Sequence, residues 1–305
     1  MNRLFSFLPI VAFAIPFSGG AVEPQNAPDI RTVAPDLFIP HIDLGPARPG
    51  KRVRQTHPHF ASTSVYHVLY LPVDWKSGRR YPVIVEFAGN GDYRNQYGDV
   101  STGRVEDAKL GFGLSGGKGY IWLSVPYLNE SGTANVTTWW GNKPSYRPDQ
   151  TVAYTKATIP WICSQFGGDP NRVILSGFSR GAIACNYIGL YDDEIASLWH
   201  AFVPYSGYDG VRTTWPYPGA NRASALVRLN RLNKRPQFVC DEVNTSQSSL
   251  RLNSTKDYLR ATGIPGNFTF LSTGFRNHND AWILRPSSTR SKLRLWLRRH
   301  APPPR

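Results

Sequence analysis

One stretch constrains this chain more than any other. From residue 172 to 190 an apolar segment, Val173-Ile174-Leu175, passes through Gly177-Phe178-Ser179-Arg180-Gly181 into a second one, Ala182-Ile183-Ala184-Cys185-Asn186-Tyr187. The first segment reads as a strand (172–176) and the second as a helix (182–190). A strand that enters a helix through a single serine must turn sharply there. Such a turn lifts the serine Oγ above the sheet edge, and the flanking glycines permit the close backbone approach. Gly113-Leu114-Ser115-Gly116-Gly117 matches the same pattern, but its strand follows it, so we read Ser115 as a loop residue. Gly111, Gly113 and Gly116 have dinucleotide-type spacing, which the same reversed order rules out.

The rest of the chain alternates in the same way. Strands are expected at 65–71, 81–87, 120–125, 201–205, 237–240 and 267–271. Helices are expected at 151–166, interrupted by Pro160, and in the final stretch, where Leu293, Trp296 and Leu297 share one face. Short apolar strands alternating with helices predict an α/β fold, a mostly parallel central sheet with helices on both faces.

Composition narrows the function classes. The chain has 305 residues, 41% hydrophobic and 18% charged, which excludes a disordered chain and suffices for a large core. Lys+Arg 35 against Asp+Glu 21 gives a net charge of +14. The basic residues are scattered, and the densest run, Arg290 to Arg299, lies on the outer face of the final helix. We therefore expect no nucleic-acid partner, and polyanionic surfaces or acidic polysaccharides fit the charge better. Three cysteines without metal-ligand spacing exclude a disulfide scaffold and a structural zinc. His57-Pro58-His59 is read as surface, not metal.

Arg3, the apolar run Leu4 to Phe17 and the small residues Ser18 to Ala21 read as a secretory signal, residues 1–21. A proline-rich extended lead-in is expected at 22–60, with regular structure beginning near Ser64 and one folded domain over 61–305. The expected location is secreted or periplasmic, with no stable membrane anchor after cleavage. Export permits disulfides, and Cys163 with Cys185, in the helices before and after one strand, form the candidate pair.

The stretch Gly167-Gly168-Asp169-Pro170-Asn171-Arg172-Val173-Ile174-Leu175-Ser176-Gly177-Phe178-Ser179-Arg180-Gly181-Ala182 resembles the elbow region of secreted serine esterases of the α/β-hydrolase superfamily, including polyhydroxybutyrate-depolymerase-like and feruloyl-esterase-like enzymes. The resemblance spans roughly residues 64–299 in element order, and only the elbow is motif-grade. It implies Ser179 as nucleophile and a chain order of serine, acid, histidine. Of the histidines after Ser179, His278 lies where the family carries its base, just past the last strand. The acid belongs in the loop after the next-to-last strand, where Glu242 is favoured and Asp241 is the alternative; Asp209, after the preceding strand, is the outside candidate. Asn244 falls where the family's aspartate would stand.

The resemblance also implies an oxyanion hole from backbone N–H groups of Arg180 and of Gly89 or Asn90. Trp139, Trp140 and Trp282 are the candidate substrate-binding residues, since aromatic platforms suit sugar rings and aryl esters. The expected activity is cleavage of a small or polymer-linked carboxylic ester, carbohydrate or aryl, through an acyl-enzyme, with no cofactor and no metal. A serine peptidase on the same fold, and a non-catalytic basic, aromatic-rich binding protein on a hydrolase scaffold, remain the rival readings.

Overall fold

The computed structural model describes residues 27–243 and 249–304. Residues 1–26, including the expected signal segment, and Asn244 lie outside the described residues.

A nine-stranded sheet runs through the molecule. Its strands are β1 Ile42–Asp43, β2 Arg52–Gln55, β3 His67–Tyr70, β4 Tyr81–Phe87, β5 Ile121–Val125, β6 Gly168–Phe178, β7 Ala201–Tyr205, β8 Pro236–Asp241 and β9 Asn267–Ser272. Their spatial order is β1-β2-β3-β5-β4-β6-β7-β8-β9. β2 pairs antiparallel with β3, and β3 antiparallel with β5; every pair from β5 to β9 is parallel. The sheet thus begins inside the expected lead-in and not near Ser64. β2 alternates Arg52 and Arg54 with Val53, and Val53 is buried in the core.

Both faces of the sheet are covered. The helices are α1 Leu110–Ser115, α2 Asp149–Phe166, α3 Arg180–Tyr187, α4 Asp193–Ser197, α5 Arg222–Asn230, α6 Ser249–Thr262 and α7 Ser288–His300. Val83, Val85, Phe87, Val173 and Leu175 pack in one core with residues of α2, α3 and α5. Ile84, Ile174, Val203 and Phe238 point the other way, into a core with Leu110, Leu114, Leu293, Trp296 and Leu297 of α1 and α7. The alternation follows from the period of two along a strand. Each such aliphatic side chain contributes about 1.5–3 kcal/mol by leaving water.

Local sequence sets the helix ends. Asn221 caps α5 by accepting from Ser224 N, and Ser287 caps α7 by accepting from Arg290 N. Gly167 ends α2 in a left-handed conformation, and Pro160 lies within α2 without ending it. Ser115, expected in a loop, is the last residue of helix α1. The helix start is pinned by Glu86 of β4, which accepts from the N–H groups of Leu110 and Gly111 and from Trp122 Nε1. Burial pushes the Glu86 carboxyl up to about 7.

Cys163, Cys185 and Cys240 are all buried and unbonded, so the expected Cys163–Cys185 pair does not form. His57 is also buried, its Nδ1 accepting from His59 N, so it is no surface residue. Among the described residues no helix is long and apolar enough to cross a membrane.

Candidate active site

Strand β6 ends at Phe178 and α3 begins at Arg180, leaving Ser179 alone at the corner with φ 54° and ψ −112°. A positive φ is costly for a side-chain-bearing residue and persists only where neighbours enforce it. Here the Ser179 N–H donates to Tyr205 O at 2.8 Å, and Ser179 O accepts from Ala182 N at 3.0 Å. The glycines are required by contact. A Cβ on Gly177 would lie 2.1 Å from Gly181 O, and one on Gly181 would lie 2.0 Å from Phe87 O. The corner therefore fits only if the residues two before and two after the serine lack side chains.

His278 lies between β9 and the turn Asp280–Leu284, and its Nε2 is 3.0 Å from Ser179 Oγ. Its Nδ1 is 3.0 Å from Glu242 Oε1 and 2.7 Å from Ser206 Oγ. Glu242 is the first residue past β8 and is buried. Tyr205 OH donates to the carbonyls of Asn277 and Asn279, one on each side of His278. Asn277 is buried, accepting from Ile30 N and donating to Asp99 Oδ1. The rings of Tyr93 and Phe178 pack on the imidazole at 4.9 and 4.8 Å. The ring is thus fixed in position before any ligand arrives.

Among the three carboxylates considered, Glu242 reaches His278. Asp209 does not: it is buried against Arg228, with Oδ2 2.8 Å from Nε and Oδ1 3.1 Å from Nη2. That pair satisfies a charge that the interior would otherwise disfavour. Asp241 is the last residue of β8, and its backbone carbonyl accepts from Thr273 N.

The loop after β4 brings Gly89 and Asn90 beside the elbow. A Cβ on Gly89 would lie 2.7 Å from both Phe178 Cδ1 and Ser101 Oγ, so only glycine fits. The sequence pointed to Arg180 for its backbone, yet its side chain matters as much. Its guanidinium is buried, donates from Nη2 to Gly89 O at 2.8 Å and from Nη1 to Trp139 O, and lies 3.8 Å over the Tyr127 ring. Burial brings its pKa down to about 10, so it stays charged at neutral pH. Asn90 Oδ1 accepts from Trp139 N at 2.8 Å. Arg180 and Asn90 therefore grip Trp139 by its carbonyl and its N–H, at a residue whose φ is 48°.

Two of the three tryptophans do not line a pocket. Trp140 is fully buried and stacks on Tyr187 at 4.6 Å; Trp282 is fully buried against Tyr205. Both are large apolar rings at positions the core needs filled. Trp139 is half-buried and meets Trp215 at 5.1 Å, with Arg212 4.0 Å over the Trp215 ring. Trp215 and Tyr93 carried no motif that could single them out in the sequence.

A sheet crossing from antiparallel edge to parallel centre, with a serine corner after β6, an acidic residue after β8 and a histidine after β9, decides the architecture. The chain has the α/β-hydrolase fold. The hydrolase fold is shared with the S-formylglutathione hydrolase of Agrobacterium tumefaciens, at 13% identity and a TM-score of 0.53, covering 82% of this chain and 93% of that one. It is similar also to Thermogutta terrifontis esterase 2 phosphorylated by paraoxon, at 14% identity and TM-score 0.52, covering 83% and 95%. The AtxE2 isopeptidase matches at 15% identity and TM-score 0.50, covering 82% of this chain, which spans 40% of the isopeptidase's length. No family model and no curated protein matches the chain.

Proposed function

We propose that the chain is an exported serine hydrolase that cleaves carboxylic esters, similar to the polyhydroxybutyrate-depolymerase-like and feruloyl-esterase-like enzymes. The observation that carries this reading is the unbroken row Ser179 Oγ, His278 Nε2, His278 Nδ1 and Glu242 Oε1, with 3.0 Å at each hydrogen bond. A serine needs a base to take its proton, and the base needs a partner that holds its tautomer.

In the first half-reaction Ser179 Oγ attacks the ester carbonyl while His278 Nε2 takes its proton. The tetrahedral oxyanion is held by the N–H of Arg180 and an N–H of Gly89 or Asn90. His278 returns the proton to the departing alcohol as the C–O bond breaks, leaving the acyl group on Ser179. Water then attacks, giving its proton to His278, which passes it to Ser179 as the acid leaves. Glu242 fixes the Nδ1–H tautomer and stabilises the imidazolium throughout.

Trp139 and Trp215, fixed beside the elbow, are the platform for the alcohol or acyl portion, and carbohydrate-linked, aryl and polyester substrates all suit it. Export rests on the N-terminal segment 1–21.

The deciding experiment is hydrolysis of a short-chain p-nitrophenyl ester by wild type and Ser179→Ala, with fluorophosphonate labelling of both. Turnover and labelling that vanish together in the variant support the reading. Labelling of wild type at another residue, or none at all, overturns it. A p-nitroanilide run alongside separates ester from amide cleavage, the peptidase alternative that the isopeptidase likeness keeps in view.

A further inference from the structure

The Nδ1 atom of His278 has two neighbours where the proposed mechanism uses one. Ser206 Oγ, at 2.7 Å, is nearer than Glu242 Oε1, at 3.0 Å. Ser206 is the first residue past β7, is 3% exposed, and holds φ 63°. Two contacts enforce that left-handed conformation. Its N–H donates to Cys240 O on β8 at 2.8 Å, and the next residue, Gly207, sits so close beneath the elbow that a Cβ would lie 2.8 Å from Ser179 O. Ser206 is therefore fixed to the strand that carries Glu242 and to the corner that carries Ser179.

A single ring nitrogen with two oxygen neighbours admits two proton arrangements. In one, Ser206 donates to an unprotonated Nδ1. The buried Glu242 carboxylate would then face a bare lone pair, and the proton on Nε2 would point at Ser179. In the other, Nδ1–H is shared between Glu242 and Ser206, and Nε2 keeps its lone pair for the Ser179 proton. A buried carboxylate opposite a lone pair loses the charge-assisted bond that offsets its desolvation, so the second arrangement prevails. We propose that Ser206 is a positioning residue: its hydroxyl oxygen accepts from His278 Nδ1–H beside Glu242, holding the ring from two sides in the tautomer a general base requires.

The other polar and charged groups near this ring act from the remaining sides. Tyr93 and Phe178 cover its faces, Tyr205 and Asn277 hold its backbone, and Asp280 is paired with Lys109. Asp99 and Asp29 bond to Asn277, Arg276 bonds to Asp29, and Asp241 adjoins Glu242 in the chain. Among the described residues, the hydrogen-bond partners of Nδ1 itself are Glu242 and Ser206.

The inference rests on His278 acting as the base, so its test has a readout that does not need turnover. Histidine-15N-labelled protein is compared by NMR for ring tautomer and Nδ1–H exchange, with His278 assigned through His278→Gln, in wild type and Ser206→Gly. Glycine suits the positive φ, so this variant keeps the backbone, and a thermal melt verifies it. The expected wild-type signal is the Nδ1–H tautomer. In Ser206→Gly the Nδ1–H loses an acceptor, so its proton exchanges faster with water, and kcat falls about three- to tenfold with little change in KM. An Nε2–H tautomer in wild type, or an Nδ1–H that exchanges no faster in Ser206→Gly, overturns the proposal. Failure of the hydrolase reading would show separately, as ester turnover that survives Ser179→Ala.

Discussion

Glu242 Oε1 lies 3.0 Å from His278 Nδ1 although the two residues belong to different loops, one after β8 and one after β9. Parallel pairing of these strands, with Asp241 opposite Ser272, brings both loops to the same sheet edge. If that bond holds the catalytic tautomer, Glu242→Gln keeps the shape and lets the amide favour the wrong one. Its kcat is expected to fall on the order of 10³- to 10⁴-fold while the protein stays folded. Steady-state rates with circular dichroism check both halves.

Arg180 gives a second prediction. Its guanidinium answers two buried carbonyls, Gly89 O and Trp139 O, from one side chain. Arg180→Leu leaves both without a donor and is expected to destabilise by about 3 kcal/mol. The loop bearing the candidate oxyanion donors would also lose its anchor, so kcat should fall even at temperatures where the variant is fully folded. A urea melt paired with kinetics distinguishes the two losses.

The elbow glycines make the third. Gly177→Ala and Gly181→Ala each drive a methyl into a backbone carbonyl that cannot rotate away. The expected outcome is an insoluble or grossly destabilised chain, whereas Ser179→Ala melts within about 1 kcal/mol of wild type. Folded, active Gly181→Ala protein would contradict the close approach of α3 to the end of β4.

His67 sets the fourth, in pH. It is fully buried, with Nδ1 2.7 Å from Tyr154 OH, and burial pushes its imidazole down to about 3. An unfolded histidine titrates near 6.5. Between those values the unfolded chain binds a proton that the folded chain refuses, so stability falls as pH is lowered through this window, by up to ~1.4 kcal/mol per pH unit from this group. His67→Gln should flatten the acid side of a denaturation profile taken between about pH 7 and pH 4.

A fifth concerns the N-terminal segment. Asp29 bonds Arg31, Arg276 and Asn277, and these contacts hold its carboxyl well below the usual range. Asp29→Ala should loosen the loop that carries His278. Faster proteolysis near residue 276 and a lowered kcat are the expected signs; an unchanged kcat would show that Ile30, Asp99 and Tyr205 hold the loop without Asp29.

The parallel sheet was legible because strands buried on both faces read as continuous apolar runs, and 81–87 and 201–205 match the structure end to end. The elbow was legible because the glycines that the close approach requires stand two residues before and two after Ser179, in a strand-to-helix context. Trp140 and Trp282 misled, since a tryptophan near a motif looks the same whether it faces a ligand or the core. Ser206 and the Arg180 side chain stayed hidden for another reason. Their partners are remote in the chain, and a serine after a strand has no pattern of its own. The lead-in read as irregular because seven prolines outweighed the short alternation at 52–55.

The three thiols give the molecule a property unrelated to catalysis. One sits on α2, one on α3 and one on β8, so they sample both the helical cover and the sheet beneath it. A thiol reagent in solution can modify each only when its own neighbourhood opens. Counting modified cysteines against time, under native conditions, would reveal whether the cover lifts before the sheet parts or the whole domain lets go at once.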